Sequence, residues 1–262
     1  MPATHTALIT GASGGIGYEL AKLLAGDGFD LVLVARNGAK LAEIASELAA
    51  RHNVQAKAIS LDLAQPGAAQ SLFDQIQSAG VAVHTLVNNA GYGKFGEFRS
   101  LALTDLYGQI ALNITTLTAL TRLLLPGMLE RGSGRIMNVA STAGFQPGPL
   151  MAVYYANKAY VISFSEALAN EVRGSGVTVT CFCPGATDTG FAARAGNDKT
   201  RLFKKFGAMP AVRAARDGYR GMKTGKSLVI SGFKNWMVAE SVRFAPRKMV
   251  PAISRWITEE AK

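Results

Sequence analysis

Seven short, mostly apolar runs separated by stretches of helical length limit this chain to few architectures. The runs are Ala7 to Thr10, Leu31 to Ala35, Gln55 to Ile59, Thr85 to Val87, Arg135 to Val139, Val177 to Phe182 and Ser227 to Ile230. A strand that is apolar on both sides needs cover on both faces, as in a parallel sheet between helical layers. Helical segments are expected at 15–25, 39–51, 65–78, 104–130, 152–173 and 210–223. The β-α-β alternation predicts an α/β fold, a doubly wound parallel sheet of about seven strands with helices on both faces. No repeat or linker interrupts the chain, so residues 1–262 read as a single domain, and one large core is ordinary at this size. Residues 187–209 fit neither template and read as an insertion over one end of the sheet.

Composition narrows the class further. Apolar residues make up 48% and charged residues 18%, which points to a globular, soluble protein. No uninterrupted apolar run reaches 18 residues, so no membrane-spanning helix is expected, and the early first strand leaves no room for a signal peptide. Cys181 and Cys183 alternate on one predicted strand and share a face, where a disulfide is poor geometry. They read as buried hydrophobes in a reducing, cytoplasmic compartment. His5, His52 and His84 show no ligand spacing, and no metal is expected. The net charge of +10 is uneven: residues 1–189 hold 12 Lys/Arg and 13 Asp/Glu, whereas residues 190–262 hold 16 and 5. No basic-aromatic recognition module is evident, so nucleic acid is not an expected partner.

The first strand leads into Gly11-Ala12-Ser13-Gly14-Gly15-Ile16-Gly17 and then a helix. Glycines allow close backbone approach, and a helix N-terminus offers free N–H groups to a pyrophosphate. A tight strand-to-helix turn is the alternative; the strand-before, helix-after context favours a Rossmann-type nucleotide site. Far downstream, Tyr154 and Lys158 lie at i and i+4, so on a helix both point into one cleft. Ser141 ends the fifth strand, where a hydroxyl can hold a carbonyl and stabilise an oxyanion, or simply cap a turn. Asn113 sits in a helical run where asparagine has poor propensity, which suggests a task or a kink satisfied by backbone.

Taken together, these motifs make the chain resemble the short-chain dehydrogenase/reductase family. Thr10-Gly11-x-x-x-Gly15-x-Gly17, Asn88-Asn89-Ala90-Gly91, Asn113, Ser141, Tyr154-x-x-x-Lys158 and Pro184-Gly185 with Thr187 and Thr189 occur in family order across residues 4–189. The resemblance implies an oxidoreductase interconverting a ketone or aldehyde with an alcohol by hydride transfer. It makes Tyr154 the general acid/base and Lys158 a ribose-gripping partner. Ser141 would hold substrate, and Asn113 a relay water. Gly11, Ser13, Gly15, Ile16, Gly17, Arg36, Asp62, Asn89, Ala90, Gly91, Tyr154, Lys158, Pro184, Gly185, Thr187 and Thr189 would contact cofactor. Asp62 reads alternatively as a helix cap.

Charge bears on the rest. A free tyrosine titrates near 10, and a neighbouring ammonium favours its phenolate; for the oxidation direction, lowering that value by about 2–3 takes roughly 3–4 kcal/mol, which the cation together with an oxidised nicotinamide is expected to supply. Ala35 followed by Arg36 at the end of the second strand invites a 2′-phosphate, so NADP(H) is expected over NAD(H). Phe145, Pro147, Pro149, Leu150, Met151, Phe191, Leu202, Phe203 and Phe206 are candidate walls for a small apolar carbonyl or alcohol substrate. Met249, Val250, Ile253, Trp256 and Ile257 form an amphipathic stripe in a basic C-terminal extension, residues 232–262. Docking of Met249, Ile253 and Trp256 on the body is the preferred expectation. A membrane-surface contact and an acidic carrier are the alternatives. The family's helix pairing implies a homodimer. Two rival functions stand beside the first: a 3-oxoacyl reductase of carrier-bound chains, and a non-catalytic nucleotide-binding scaffold.

Overall fold

The computed structural model describes residues 5–260; the remaining ends of the expected domain, 1–4 and 261–262, lie outside the described residues. The first half runs β1 (Thr6–Thr10), α1 (Gly15–Gly26), β2 (Asp30–Ala35), α2 (Gly38–His52), β3 (Ala56–Ser60), α3 (Ala68–Ser78) and β4 (Val83–Asn88). It continues through α4 (Leu103–Ile110), a π-helical segment over Ala111–Thr116, α5 (Leu117–Glu130), β5 (Gly134–Val139), α6 (Ala152–Glu171) and β6 (Val177–Cys183). Then come β7 (Thr187–Asp188), α7 (Phe191–Ala195), α8 (Arg201–Lys205), β8 (Met209–Pro210), α9 (Ala211–Lys223), β9 (Leu228–Ile230), α10 (Phe233–Ser241) and α11 (Met249–Thr258).

The main sheet has seven parallel strands in the order β3-β2-β1-β4-β5-β6-β9. The chain winds outward from β1 to β3, returns to β4 beside β1, and winds outward again. The crevice between β1 and β4 is therefore the topological switch point. Alternate residues feed opposite layers, the period-2 consequence of the pleat. On one face Ile9, Leu33 and Phe182 pack against Leu20 and Leu24 of α1, Leu41 of α2 and Met222 of α9. On the other, Leu8, Val32 and Ile136 meet Leu72 of α3, Leu120 and Leu124 of α5 and Leu168 of α6. Both faces are covered, as the two-sided apolar strands required.

A hydrogen-bonded thread of polar side chains crosses the sheet into α6. Asn88 and Asn138 are register partners on β4 and β5. Asn88 Nδ2 donates to Asn138 Oδ1 at 2.9 Å, and Asn138 Nδ2 donates to Ser165 Oγ on α6 at 3.0 Å.

Several local expectations change. The helix expected over 104–130 is broken at Ala111–Thr116, where a π-turn inserts around Asn113. The whole stretch Leu103–Glu130 is long and apolar enough, by length and composition, to cross a membrane despite lacking an uninterrupted apolar run. It lies against the sheet, with Thr116 Oγ1 donating to Leu63 O at 2.6 Å and Asn88 Nδ2 donating to Thr121 Oγ1 at 3.0 Å. The third helix begins at Ala68 rather than Gln65, because Asp62 folds the preceding residues into a turn, accepting from Ala64 N at 3.1 Å. Insertion residues contain two short helices, and β7 pairs with β8 to close them into a flap. His5 and His84, distant in sequence, stack at 4.4 Å. Cys181 and Cys183 do share a face, their sulfurs 3.7 Å apart and buried, with no disulfide between them.

Candidate active site

Three chain segments meet at the carboxyl ends of β1, β4 and β6. Gly11 takes a left-handed φ of +69°, and a Cβ there would lie 2.9 Å from Ala90 Cα. That close approach accounts for glycine in the turn. Asn89 ties the turn down, its Nδ2 donating to Thr10 O at 2.9 Å and to Gly11 O at 3.1 Å. Helix α1 then opens with no side-chain cap and no acidic residue in its first turn. The position a Cβ would take at Gly14 is open space, while one at Gly17 would strike Gly11 O. Uncapped N–H groups facing an open cradle are what an anionic phosphate group requires. Ser13 and Ile16 border the cradle, and Thr189 crosses over from β7, its methyl 3.0 Å from the Cβ position of Gly15.

The β6 loop is pinned to β5. Pro184 O accepts from Thr142 N at 3.0 Å, and Thr187 Oγ1 donates to Gly185 O at 2.9 Å. Arg36 is exposed immediately after β2. Burial and then the Asp105 carboxylate raise the Tyr92 phenol; the Arg36 charge opposes them and Asp62 adds to them. Arg36 and Asp62 thus both lie near the loop after β4. Asp62 itself is engaged in its turn, also accepting from Gln65 Nε2 at 3.3 Å.

The four chemistry-bearing side chains converge beside this cradle. Asn113 is 2% exposed, and its amide pairs with both backbone groups of Tyr92: Oδ1 accepts from Tyr92 N at 3.2 Å, and Nδ2 donates to Tyr92 O at 2.9 Å. Satisfaction by backbone, the plainer of the two sequence readings, is the geometry seen. The π-turn aims this amide inward, a feature frequent at functional sites. A Cβ on Gly91 would sit 2.8 Å from Asn113 Oδ1 and 3.7 Å from Lys158 Nζ. Lys158 Nζ donates to Val139 O at 2.7 Å and lies 5.7 Å from the Tyr154 ring centroid. Ser141 Oγ accepts from Ala143 N at 3.1 Å and donates weakly to Pro184 O at 3.4 Å.

Burial sets the protonation states. Loss of solvent pushes the Tyr154 phenol well above its ordinary value, and the neighbouring Ser141 hydroxyl only partly offsets this. Lys158, for its part, is pushed down to about 8 by burial. The pair thus stores a proton on tyrosine and holds a lysine poised to lose one near neutrality. Behind them, hydrogen bonding with Cys181 and then burial hold the Cys183 thiol well above the usual range.

The apolar walls form only in part as expected. Met151 and Phe191 close over Tyr154, the Phe191 ring 5.2 Å from the tyrosine ring. Leu150 sits at a left-handed φ of +68°, a strained state for a leucine, two residues before α6. Phe206 points away: it is 62% exposed and meets Trp256 instead. Phe95 and Gly93 were missed. Phe95 packs beside Tyr154, and a Cβ on Gly93 would touch the Tyr154 ring at 3.0 Å. The glycine spacing Gly91-Tyr92-Gly93 was the available signal for that close approach.

Helix α11 docks on the body, but only part of its apolar stripe does so: Val250 is buried and Ile257 partly buried, with Ser254 and Thr258 beside them, whereas Met249, Ile253 and Trp256 are about half exposed. Thr258 Oγ1 donates to Pro149 O at 3.1 Å, so α11 rests on the loop leading to Tyr154.

The family model for short chain dehydrogenases matches residues 5–200, and the chain belongs to the short-chain dehydrogenase/reductase family. It is 37% identical over 180 residues to the ketoacyl reductase HetN of Nostoc sp., covering 69% of this chain and 62% of that protein. It is 36% identical over 185 residues to the very-long-chain 3-oxoacyl-CoA reductase of Homo sapiens, covering 68% of this chain and 58% of the relative. The chain therefore spans less than two thirds of the length of these curated relatives. A short-chain dehydrogenase from Sphingobium yanoikuyae, solved in complex with NADPH, superposes with a TM-score of 0.82 at 31% identity, covering 92% of this chain and 94% of that one.

Proposed function

We propose that the protein is an NADP(H)-dependent oxidoreductase that interconverts a small apolar ketone or aldehyde with its alcohol. The observation that carries this reading is the convergence of a protonated, buried Tyr154 with Lys158, Ser141 and Asn113 beside an uncapped glycine cradle. The cradle would hold the pyrophosphate on the N–H groups from Gly11 to Gly17, with Arg36 facing a 2′-phosphate and Asp62 and Asn89 to Gly91 along the adenosine side. Pro184, Gly185, Thr187 and Thr189 would enclose the nicotinamide, and Lys158 with Tyr154 the adjoining ribose. Bound there, the reduced nicotinamide supplies hydride to the carbonyl carbon.

The chain's own part is proton handling and orientation. Ser141 at the end of β5 orients the carbonyl oxygen and stabilises charge developing on it. Tyr154 donates its hydroxyl proton to that oxygen, and its high proton affinity in the dry cleft keeps it loaded for reduction. Lys158 holds positive charge next to the phenolate left behind. Asn113 fixes the Gly91 to Tyr92 backbone that forms the wall facing Lys158.

Because Lys158 titrates at about 8, its ammonium is present below that pH and lost above it. The kcat/KM of carbonyl reduction is expected to be level on the acid side and to descend as pH rises through about 8. A pH–rate profile checks this, and a plateau continuing to about 10, the ordinary tyrosine value, would contradict it.

A panel of ketones, aldehydes and 3-oxoacyl thioesters assayed with NADPH and NADH tests the reading. NADPH-dependent turnover of simple carbonyls supports it. Preference for 3-oxoacyl thioesters moves the assignment to the second reading, which the names of the relatives favour. Tight nucleotide binding without turnover across the panel favours a scaffold.

The apolar face of Leu103, Tyr107 and Ile110 on α4 is exposed, as is Tyr160 on α6. These helices are the family's pairing elements, and crowding of the last-strand edge by the extension after β9 would leave them as the pairing contact. A homodimer is the expected assembly. Light scattering should return twice the chain mass, and a stable tetramer would refute the crowding.

A further inference from the structure

Half of the sixteen exposed large apolar side chains among the described residues fall within residues 233–256. Singly scattered hydrophobes on a surface need no explanation, but a concentration of them marks a contact site. On α10, Phe233 and Trp236 stack at 5.8 Å, and Met237 and Val238 continue the exposed surface. Phe244, in the turn between the two helices, is 87% exposed. On α11, Met249, Ile253 and Trp256 face outward, and Trp256 meets Phe206 of the flap with ring centroids 6.4 Å apart.

Both helices are anchored from the inside, so these faces are presented by the fold rather than frayed from it. Ala239 is buried, and Asn235 donates to Ser231 O at 2.7 Å while filling the space that Gly185 leaves open. Helix α11 is held by Val250, Ser254 and Thr258 and by Arg201, whose Nη1 meets Glu259 Oε2 at 3.1 Å.

Charge accompanies the apolar surface. Lys234, Arg247 and Lys248 are exposed, and no ion pair engages them among the described residues. Arg243 and Arg255 are paired with Glu240 and Glu259, so the uncompensated charge of this surface is that of Lys234, Arg247 and Lys248. Two copies of this chain meeting here would oppose like charges.

We propose that the outer faces of α10 and α11, with Phe244 between them, form a docking surface for an anionic lipid bilayer. Aromatic and aliphatic side chains enter the boundary between headgroups and acyl chains, while the cations engage anionic headgroups. The surface lies at the carboxyl end of the sheet. Through Thr258 and Pro149 it borders the loop before Tyr154, which docking would set against the lipid.

The test uses the full chain with sedimentable vesicles of phosphatidylcholine alone or mixed with phosphatidylglycerol. Trp236 and Trp256 are the chain's two tryptophans and both lie on this surface, so their emission reports insertion directly. Binding to the anionic vesicles is expected to exceed binding to neutral ones at least tenfold, with a blue shift in emission. Raising salt from about 0.1 M to about 1 M shortens the screening length from about 10 Å to about 3 Å and should release the protein. Phe244→Glu with Ile253→Glu should reduce binding at least tenfold with little change in melting temperature, since Phe244 is 87% exposed and Ile253 half exposed. Lys234→Glu with Lys248→Glu should remove the preference for anionic lipid. Equal binding to both vesicle types, or no sedimentation and no blue shift, overturns the proposal. So does self-association abolished by Phe244→Glu with Ile253→Glu without any vesicle binding, which would assign the face to a second copy. If the glutamate variants do not fold, the emission shift of the unaltered protein still decides.

Discussion

Tyr154→Phe is expected to lower turnover by about 10²–10⁴-fold, the usual contribution of a positioned proton donor. The substitution removes only the hydroxyl. The ring keeps its packing against Phe191 and Met151, so the fold and the glycine cradle stay as they are. Nucleotide affinity should change little, because the phosphate-facing N–H groups belong to a different segment. Steady-state rates on a validated substrate, with a parallel titration of NADPH by fluorescence, separate the two quantities. Near-normal turnover would remove Tyr154 from the reaction; lost affinity with normal turnover would make it a binding group alone.

The second large effect is on nucleotide choice. Arg36→Asp exchanges an exposed guanidinium at the end of β2 for a carboxylate. A hydrogen bond to a charged group is worth about 1.5–3 kcal/mol, and the new carboxylate adds repulsion toward a 2′-phosphate. NADPH affinity should fall roughly 10²-fold or more, while NADH affinity holds or improves, since a carboxylate there accepts from ribose hydroxyls. Paired titrations read the ratio. Equal weakening of both nucleotides would show that Arg36 does not face the phosphate.

The seven strands, their parallel doubly wound class and the glycine turn were legible in the sequence because each is written in local pattern. Apolar runs bounded by helical segments can bury both faces in few ways, and Gly11, Gly15 and Gly17 follow β1 directly. The placement of Tyr154 beside Lys158 followed from helical periodicity in the same way. What escaped depended on distant neighbours. The π-turn at Ala111–Thr116 is set by Asn113 reaching Tyr92, which lies in another loop. The proton affinity of Tyr154 depends on how completely Phe191, Met151 and Phe95 exclude water, and residue types alone cannot rank that against the field of Lys158. On α11, hydrophobicity located only part of the docked side. Ser254 and Thr258 read as polar, yet they are buried beside Val250, the Thr258 hydroxyl within reach of Ser254 O in its own helix and of Pro149 O.

The thread from Asn88 through Asn138 to Ser165 has a consequence for fidelity of assembly. The apolar strands around it would tolerate sliding past one another, since Leu, Ile and Val offer little to tell one pairing from the next. A slip of one residue by β5 would turn Asn138 to the opposite face, away from Asn88 and Ser165, and leave its amide orphaned in hydrocarbon. An orphaned amide costs about 1–3 kcal/mol, a large fraction of a domain's net stability. The thread therefore acts as a ratchet pawl at the middle of the sheet. It locks the step at which Asn89 to Gly91, leaving β4, comes level with Ser141, leaving β5, so that two halves of a cleft made far apart in the chain arrive at the same height.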